Sequence, residues 1–111
     1  MGRGSRMRRV GTVTVIAALA LGVSAAQAGG GTVNASNYKF SPKALTITKG
    51  SKVTWEWVNG RHTVTFVKGS FDKALNKAHP RASRTFRHRG TYRYYCAFHR
   101  SLGMKGKIVV Q

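Results

Sequence analysis

From residue 32 to residue 110 the chain alternates apolar and polar side chains in short runs, each closed by a turn signal. A period of two puts every apolar side chain on one face of an extended backbone, whereas a helix needs a period near 3.6. Val33 and Ala35 alternate with polar neighbours ahead of Tyr38 and Phe40, and Ser41-Pro42 breaks the run. Leu45 and Ile47 point one way and Thr46 and Thr48 the other, up to the turn at Lys49-Gly50-Ser51. Val53, Trp55 and Trp57 share a face opposite Thr54 and Glu56, and Asn59-Gly60 turns the chain again. Residues 62–67, 83–88, 91–96 and 107–110 supply four further strands, with Tyr92, Tyr94 and Cys96 on one face of the third. Residues 68–82 lack clear alternation and contain Gly69, Asp72, Asn76 and Pro80, which predicts a loop with at most a helical turn. About seven to eight short strands, with turns roughly 8–12 residues apart, predict an all-β domain, a small sandwich or barrel.

The first 28 residues have a different character. Arg3, Arg6, Arg8 and Arg9 form a basic start, residues 10–23 are uncharged and mostly apolar, and Ala26-Gln27-Ala28 has the form of a cleavage site. The apolar run is shorter than the ~20 residues that span a bilayer, so 1–28 reads as a cleaved export signal. Residues 29–111 then form a single domain that begins with a flexible Gly29-Gly30-Gly31. A domain this small buries only about 60% of its unfolded surface, and exported domains of that size usually add disulfides. This chain has one cysteine, Cys96, and so forms no internal disulfide. A lone exported thiol needs an occupant, and a metal would both protect it and stabilise the fold. Four of the 20 Lys and Arg lie in the signal, which leaves the domain 16 cations against Glu56 and Asp72, a net +14. Such a field favours anionic partners: an acidic protein, an anionic membrane or a cell-wall polymer. Export makes nucleic acid the poorest of the candidates.

The cysteine stands in Tyr94-Tyr95-Cys96-Ala97-Phe98-His99-Arg100-Ser101-Leu102-Gly103-Met104. Thiol, imidazole and thioether follow one another with C-x2-H-x4-M spacing, and His62 follows the Asn59-Gly60 turn upstream. Two His and one Cys with a weak Met is the ligand set of a mononuclear blue-copper site. Thiolate favours Cu(I), imidazole suits both oxidation states, and a long axial thioether biases the couple without closing the geometry. Structural zinc usually takes four firm N or S donors, so this set suits copper better. Cys96, His62 and His99 are expected in the plane and Met104 on the axis, with Gly103 giving the loop freedom to fold back. His79 and His88 have no partner at ligand spacing and read as solvated or core residues. With two carboxylates in the domain and no acid–base pair, the chain is read as a carrier and not an enzyme. Two other readings compete: a copper chaperone or buffer using the same ligands, and a basic polyanion-binding module that uses no metal.

The same residues carry a family resemblance. Tyr38-Lys39-Phe40-Ser41-Pro42, Leu45-Thr46-Ile47-Thr48-Lys49-Gly50, Val53-Thr54-Trp55, His62-Thr63-Val64 and the stretch from Gly90 through Cys96, His99, Met104 and Gly106 resemble the cupredoxins, the small plastocyanin-, pseudoazurin- and amicyanin-like blue copper proteins. The resemblance spans essentially all of 29–111. It implies a Greek-key β-sandwich, one type 1 copper ion on His62, Cys96, His99 and Met104, and electron transfer through the exposed edge of His99. The family often has proline before each histidine ligand, where this chain has Arg61 and Phe98. Losing proline restores a backbone N–H and frees φ, so an extra donor near the sulfur or a looser loop is expected. Arg61, Arg100 and Lys105 flank the ligands, which implies a redox partner acidic at its docking surface. The domain is expected to be a monomer, with peripheral association with an anionic membrane or cell wall a further expectation.

Overall fold

The computed structural model describes residues 29–111. The export signal read in residues 1–28 lies outside the described residues. Among the described residues nine strands appear in chain order: β1 Gly31–Ser36, β2 Lys39–Ser41, β3 Ala44–Ile47, β4 Ser51–Trp57, β5 His62–Phe66, β6 Asp72–Leu75, β7 Arg81–Phe86, β8 Gly90–Tyr95 and β9 Lys105–Val110. They form two sheets, β2-β1-β4-β7 and β3-β9-β8-β5-β6, packed face to face as a Greek-key sandwich. Among the described residues no helix is long and apolar enough to cross a membrane.

The alternation places the core where a period of two predicts it. Val33, Ala35, Leu45, Ile47, Val53, Trp55, Val64, Phe66, Tyr94, Ile108 and Val110 are buried, while the residues that alternate with them are half-buried or exposed. Aromatic rings lock the two sheets together. Trp55 of β4 meets Tyr94 of β8 edge to face at 5.3 Å and Phe66 of β5 at 5.8 Å. Such pairs add about 0.5–1.5 kcal/mol each beyond their buried area. Tyr94 is 1% exposed; among the described residues its hydroxyl and the Trp55 indole N–H face each other without closing a well-formed hydrogen bond, and burial pushes its phenol up to about 12, with the Trp55 N–H pulling weakly the other way.

Three expectations are corrected. The stretch 68–82 is not a loop throughout, because Asp72–Leu75 pairs antiparallel with β5 as an edge strand. Only Leu75 of that strand is buried, so it carries no alternation to read. The run from Thr32 to Phe40 is two strands, β1 and β2, folded back on each other at Asn37-Tyr38. Gly30 and Gly31, unlike the exposed Gly29, are not slack. Gly31 opens β1, and Gly30, buried at φ +94°, leaves no room for a Cβ against the Lys52 carbonyl.

Candidate metal centre

Four chain segments meet at one end of the sandwich. The turn at Asn59-Gly60 delivers His62 as the first residue of β5, pointing inward and fully buried. Cys96 follows the last residue of β8 and Met104 precedes the first of β9, and both are 0% exposed. The β8–β9 register pairs Tyr95 with Lys105, so the loop 96–104 closes a hairpin. Its backbone is tied to itself: Cys96 N–H donates to Met104 O at 3.0 Å, Met104 N–H to His99 O at 3.2 Å and His99 N–H to Cys96 O at 3.3 Å. A single 3-10 turn, Arg100–Leu102, ends at Gly103 with φ +84°. That left-handed step disfavours a side chain, and it is where the loop folds back toward Met104.

The donors converge. Cys96 Sγ lies 3.5 Å from His99 Nδ1 and 3.8 Å from His62 Nδ1, and the three atoms are within 4.8 Å of one another. Nitrogen and sulfur bound to one ion at ~2.0 and ~2.3 Å stand about 3.6–3.8 Å apart at near-trigonal angles, so these positions fit a shared metal. The tautomer of His62 also fits. Its Nε2 is 2.7 Å from the Asn59 carbonyl, which can only accept, so Nε2 carries the proton and Nδ1 keeps its lone pair toward the sulfur. Burial lowers the His62 pKa and nearby His99 lowers it further, against the opposing hydrogen bond to Asn59, which favours the neutral form a metal requires. The Met104 side chain is buried at the same loop's end. His99 is only half-buried, with the Tyr38 ring edge-on at 4.7 Å.

The positions that often hold proline act together. The Arg61 guanidinium lies 4.0 Å over the Phe98 ring, which joins the loop of His62 to the loop of His99 from outside. The two residues that replace the prolines thus touch each other through a cation–π contact. Arg100 stacks in the same way on Tyr95, 3.9 Å from its centroid.

Sequence reasoning missed Thr63 and Asp72 as supports. Ala97 N–H donates to Thr63 Oγ1 at 2.8 Å, Thr63 and Thr65 hydroxyls are 2.8 Å apart, and Thr65 donates to Asp72 Oδ1 at 2.8 Å. The donors run in one direction, from the residue after Cys96 to a carboxylate, an order in which each bond polarises the next. The only signal was the outward pair Thr63 and Thr65 opposite buried His62, Val64 and Phe66. Glu56 pairs with Arg81 on the surface at 3.5 Å. His79 and His88 are exposed and take no part.

A two-sheet sandwich that gathers one thiol and two imidazoles on a hairpin loop and the start of a neighbouring strand defines a cupredoxin, a small blue copper protein. The chain belongs to the copper-binding plastocyanin/azurin family, which matches residues 28–111, and copper is its cofactor. Plastocyanin A/B of Petroselinum crispum is 32% identical over 83 residues, covering 64% of this chain and 86% of that protein. A reduced amicyanin variant superposes with TM-score 0.65 or better at 30% identity, namely 0.66, over 75% of this chain and 83% of that one. A copper-containing nitrite reductase from Thermus scotoductus matches at TM-score 0.60 and 29% identity over 72% of this chain but only 22% of its own. The fold therefore also occurs as one part of an enzyme.

Proposed function

We propose that this protein is an exported, monomeric one-electron carrier in which His62, Cys96 and His99 would hold a copper ion and the Met104 thioether would be its weakest donor. Residues 1–28 are its cleaved signal and 29–111 its single domain. The observation that carries the reading is the convergence of His62 Nδ1 and His99 Nδ1 on Cys96 Sγ, with the thiol and His62 fully buried. Copper bound there supplies the Cu(I)/Cu(II) couple. The chain's part is to hold the donors still: the hairpin bonds fix Cys96 against Met104, and the Asn59 carbonyl fixes the His62 ring. His99 is the ligand nearest solvent and serves as the port for the electron. Adding one equivalent of Cu(II) should give an intense band at roughly 600 nm that cycles reversibly with redox titrants and is absent in Cys96→Ser. A colourless wild-type complex would sink the reading. The alternative, a copper chaperone or buffer, uses the same ligands and would show fast, complete transfer of copper to an apo-acceptor instead.

The redox partner is proposed to be acidic. Arg61, Arg100 and Lys105 each stand next to a candidate ligand in the chain, and Arg100 and Lys105 line a groove of about 630 Å³ that Lys43, Arg93 and Lys107 also line, with no carboxylate among its lining residues. The same cations suit a peripheral anionic surface; nucleic acid is not expected. Association rates with an acidic donor should fall steeply between low and high salt, because exposed charges more than a Debye length apart are screened. Rates that hardly change with salt would exclude this docking mode.

A further inference from the structure

At the other end of β5, roughly 13 Å along the strand from His62, a second site has no role in holding copper. Arg84 of β7 reaches from one sheet to aromatic rings of the other. Its guanidinium carbon lies 4.4 Å from the Phe66 ring centroid, 4.8 Å from Phe86, 5.4 Å from Tyr92 and 5.5 Å from Phe71. Aromatic faces stabilise the cation but supply no counter-ion. Its Nη1 is buried with no hydrogen-bond partner among the described residues. Burial also lowers its pKa, against an opposing effect from Tyr92. Neither carboxylate serves it: Glu56 pairs with Arg81, and Asp72 accepts from Thr65.

Arg84 lines a cavity of about 460 Å³ together with Lys68, Arg93 and the hydroxyl-bearing Thr91. Three cationic residues line this hollow and no carboxylate does, which favours an anion from outside. A planar guanidinium fork matches a tetrahedral oxyanion, and three positive charges favour one with nearly two negative charges over a monoanionic carboxylate. We propose that this cavity is a phosphate-binding site, for inorganic phosphate or for the terminal phosphate of a monoester, separate from the copper centre. An anion seated there ties β7 of one sheet, through Arg84, to the β5–β6 connection of the other, through Lys68. Ligand occupancy therefore stabilises the folded domain, because the unfolded chain has no such cluster.

The test is titration of the copper-loaded protein with inorganic phosphate, with glycerol phosphate, and with chloride at matched ionic strength. Binding is followed by the Arg84 Nε–H and Tyr92 backbone resonances and by thermal unfolding. Saturable shifts are expected with phosphate and not with chloride. Arg84→Lys, which keeps the charge but loses the fork, should bind about tenfold more weakly, the value of one good charge-assisted hydrogen bond. Because Arg84 packs on four rings, Lys68→Gln is the second variant, and it should weaken binding severalfold without changing the copper spectrum. Lys39→Gln, on β2 of the other sheet, removes the same charge and should leave affinity unchanged. Glycerol phosphate binding as tightly as inorganic phosphate assigns the cavity to terminal phosphate groups, and clear preference for the inorganic ion assigns it to the free anion. Equal, non-saturating responses to phosphate and chloride would overturn the site. So would an effect of Lys39→Gln as large as that of Lys68→Gln.

Discussion

Tyr94→Phe tests the reading of the core beneath the copper centre. The Tyr94 side chain is enclosed between Trp55, Phe66 and Phe40, and a Cβ built on Gly106 would meet its hydroxyl oxygen at 2.6 Å, so the pocket has no spare room there. A buried hydroxyl without a partner carries a desolvation cost of about 1–3 kcal/mol. Removing one oxygen forfeits a few dispersion contacts in return. At pH 7 the variant should therefore be no less stable than wild type, with a gain of up to about 1 kcal/mol. The larger effect comes with alkali. The phenol sits at about 12 in the fold and at ~10 when unfolded. Below pH 10 both states hold the proton and this group adds no slope. Between pH 10 and 12 the unfolded state releases its proton first, so wild type loses stability, up to about 3 kcal/mol for the two-unit difference. Every other group is common to both proteins. The difference between the two unfolding free energies thus isolates Tyr94. Guanidinium unfolding followed by tryptophan fluorescence, from pH 7 to pH 11.5, should show the variant drawing ahead only above pH 10. Two curves that stay parallel, or a variant more than about 1 kcal/mol weaker at pH 7, would refute the argument that the hydroxyl is buried and unpaired.

Two further substitutions bear on the metal centre. Gly60→Ala puts a Cβ into contact with Asn37 Oδ1 and 2.8 Å from His62 Nε2, at φ +87°; it should cost more than about 1 kcal/mol and shift the visible band, and an unchanged spectrum at unchanged stability would contradict the close packing. Thr63→Val removes the acceptor of Ala97 N–H and breaks the chain to Asp72; about 1 kcal/mol of stability should be lost, with faster amide exchange at Ala97 than in wild type, whereas equal exchange would leave Thr63 without an anchoring role.

Much of this architecture was legible because burial and alternation are the same fact seen twice. Leu45 and Ile47, or Val53 and Trp55, read inward in the sequence and are inward in the sandwich. The convergence of His62, Cys96 and His99 was legible for a chemical reason, since thiol and imidazole at loop spacing have few other uses. What escaped was anything whose cause lies across space. The strand at Asp72–Leu75 exists because β5 offers it hydrogen bonds, not because its own four residues alternate. The stacking of Arg61 on Phe98 needs two loops to meet, and 36 intervening residues hide it. The tight fit at Gly30 depends on a carbonyl of β4, so two glycines of a triplet that looked like slack are part of the packing.

The hairpin that carries Cys96, His99 and Met104 has a consequence for the order in which this protein matures. Those three donors are local, since 96–104 needs only β8 and β9 to pair, and hairpins close in microseconds. His62 arrives from a distant strand, and the sandwich also awaits two parallel pairings, β1 with β4 and β3 with β9. Non-local pairings of that kind form slowly. Copper present during folding thus meets a thiol, an imidazole and a thioether before it meets a finished sandwich. Affinity for that unfinished chain subtracts from the stabilisation the ion gives the native state. His62 is then the ligand that makes copper a reward for completing the fold, and His62→Ala should leave a chain that still captures Cu(I) but is stabilised by it far less.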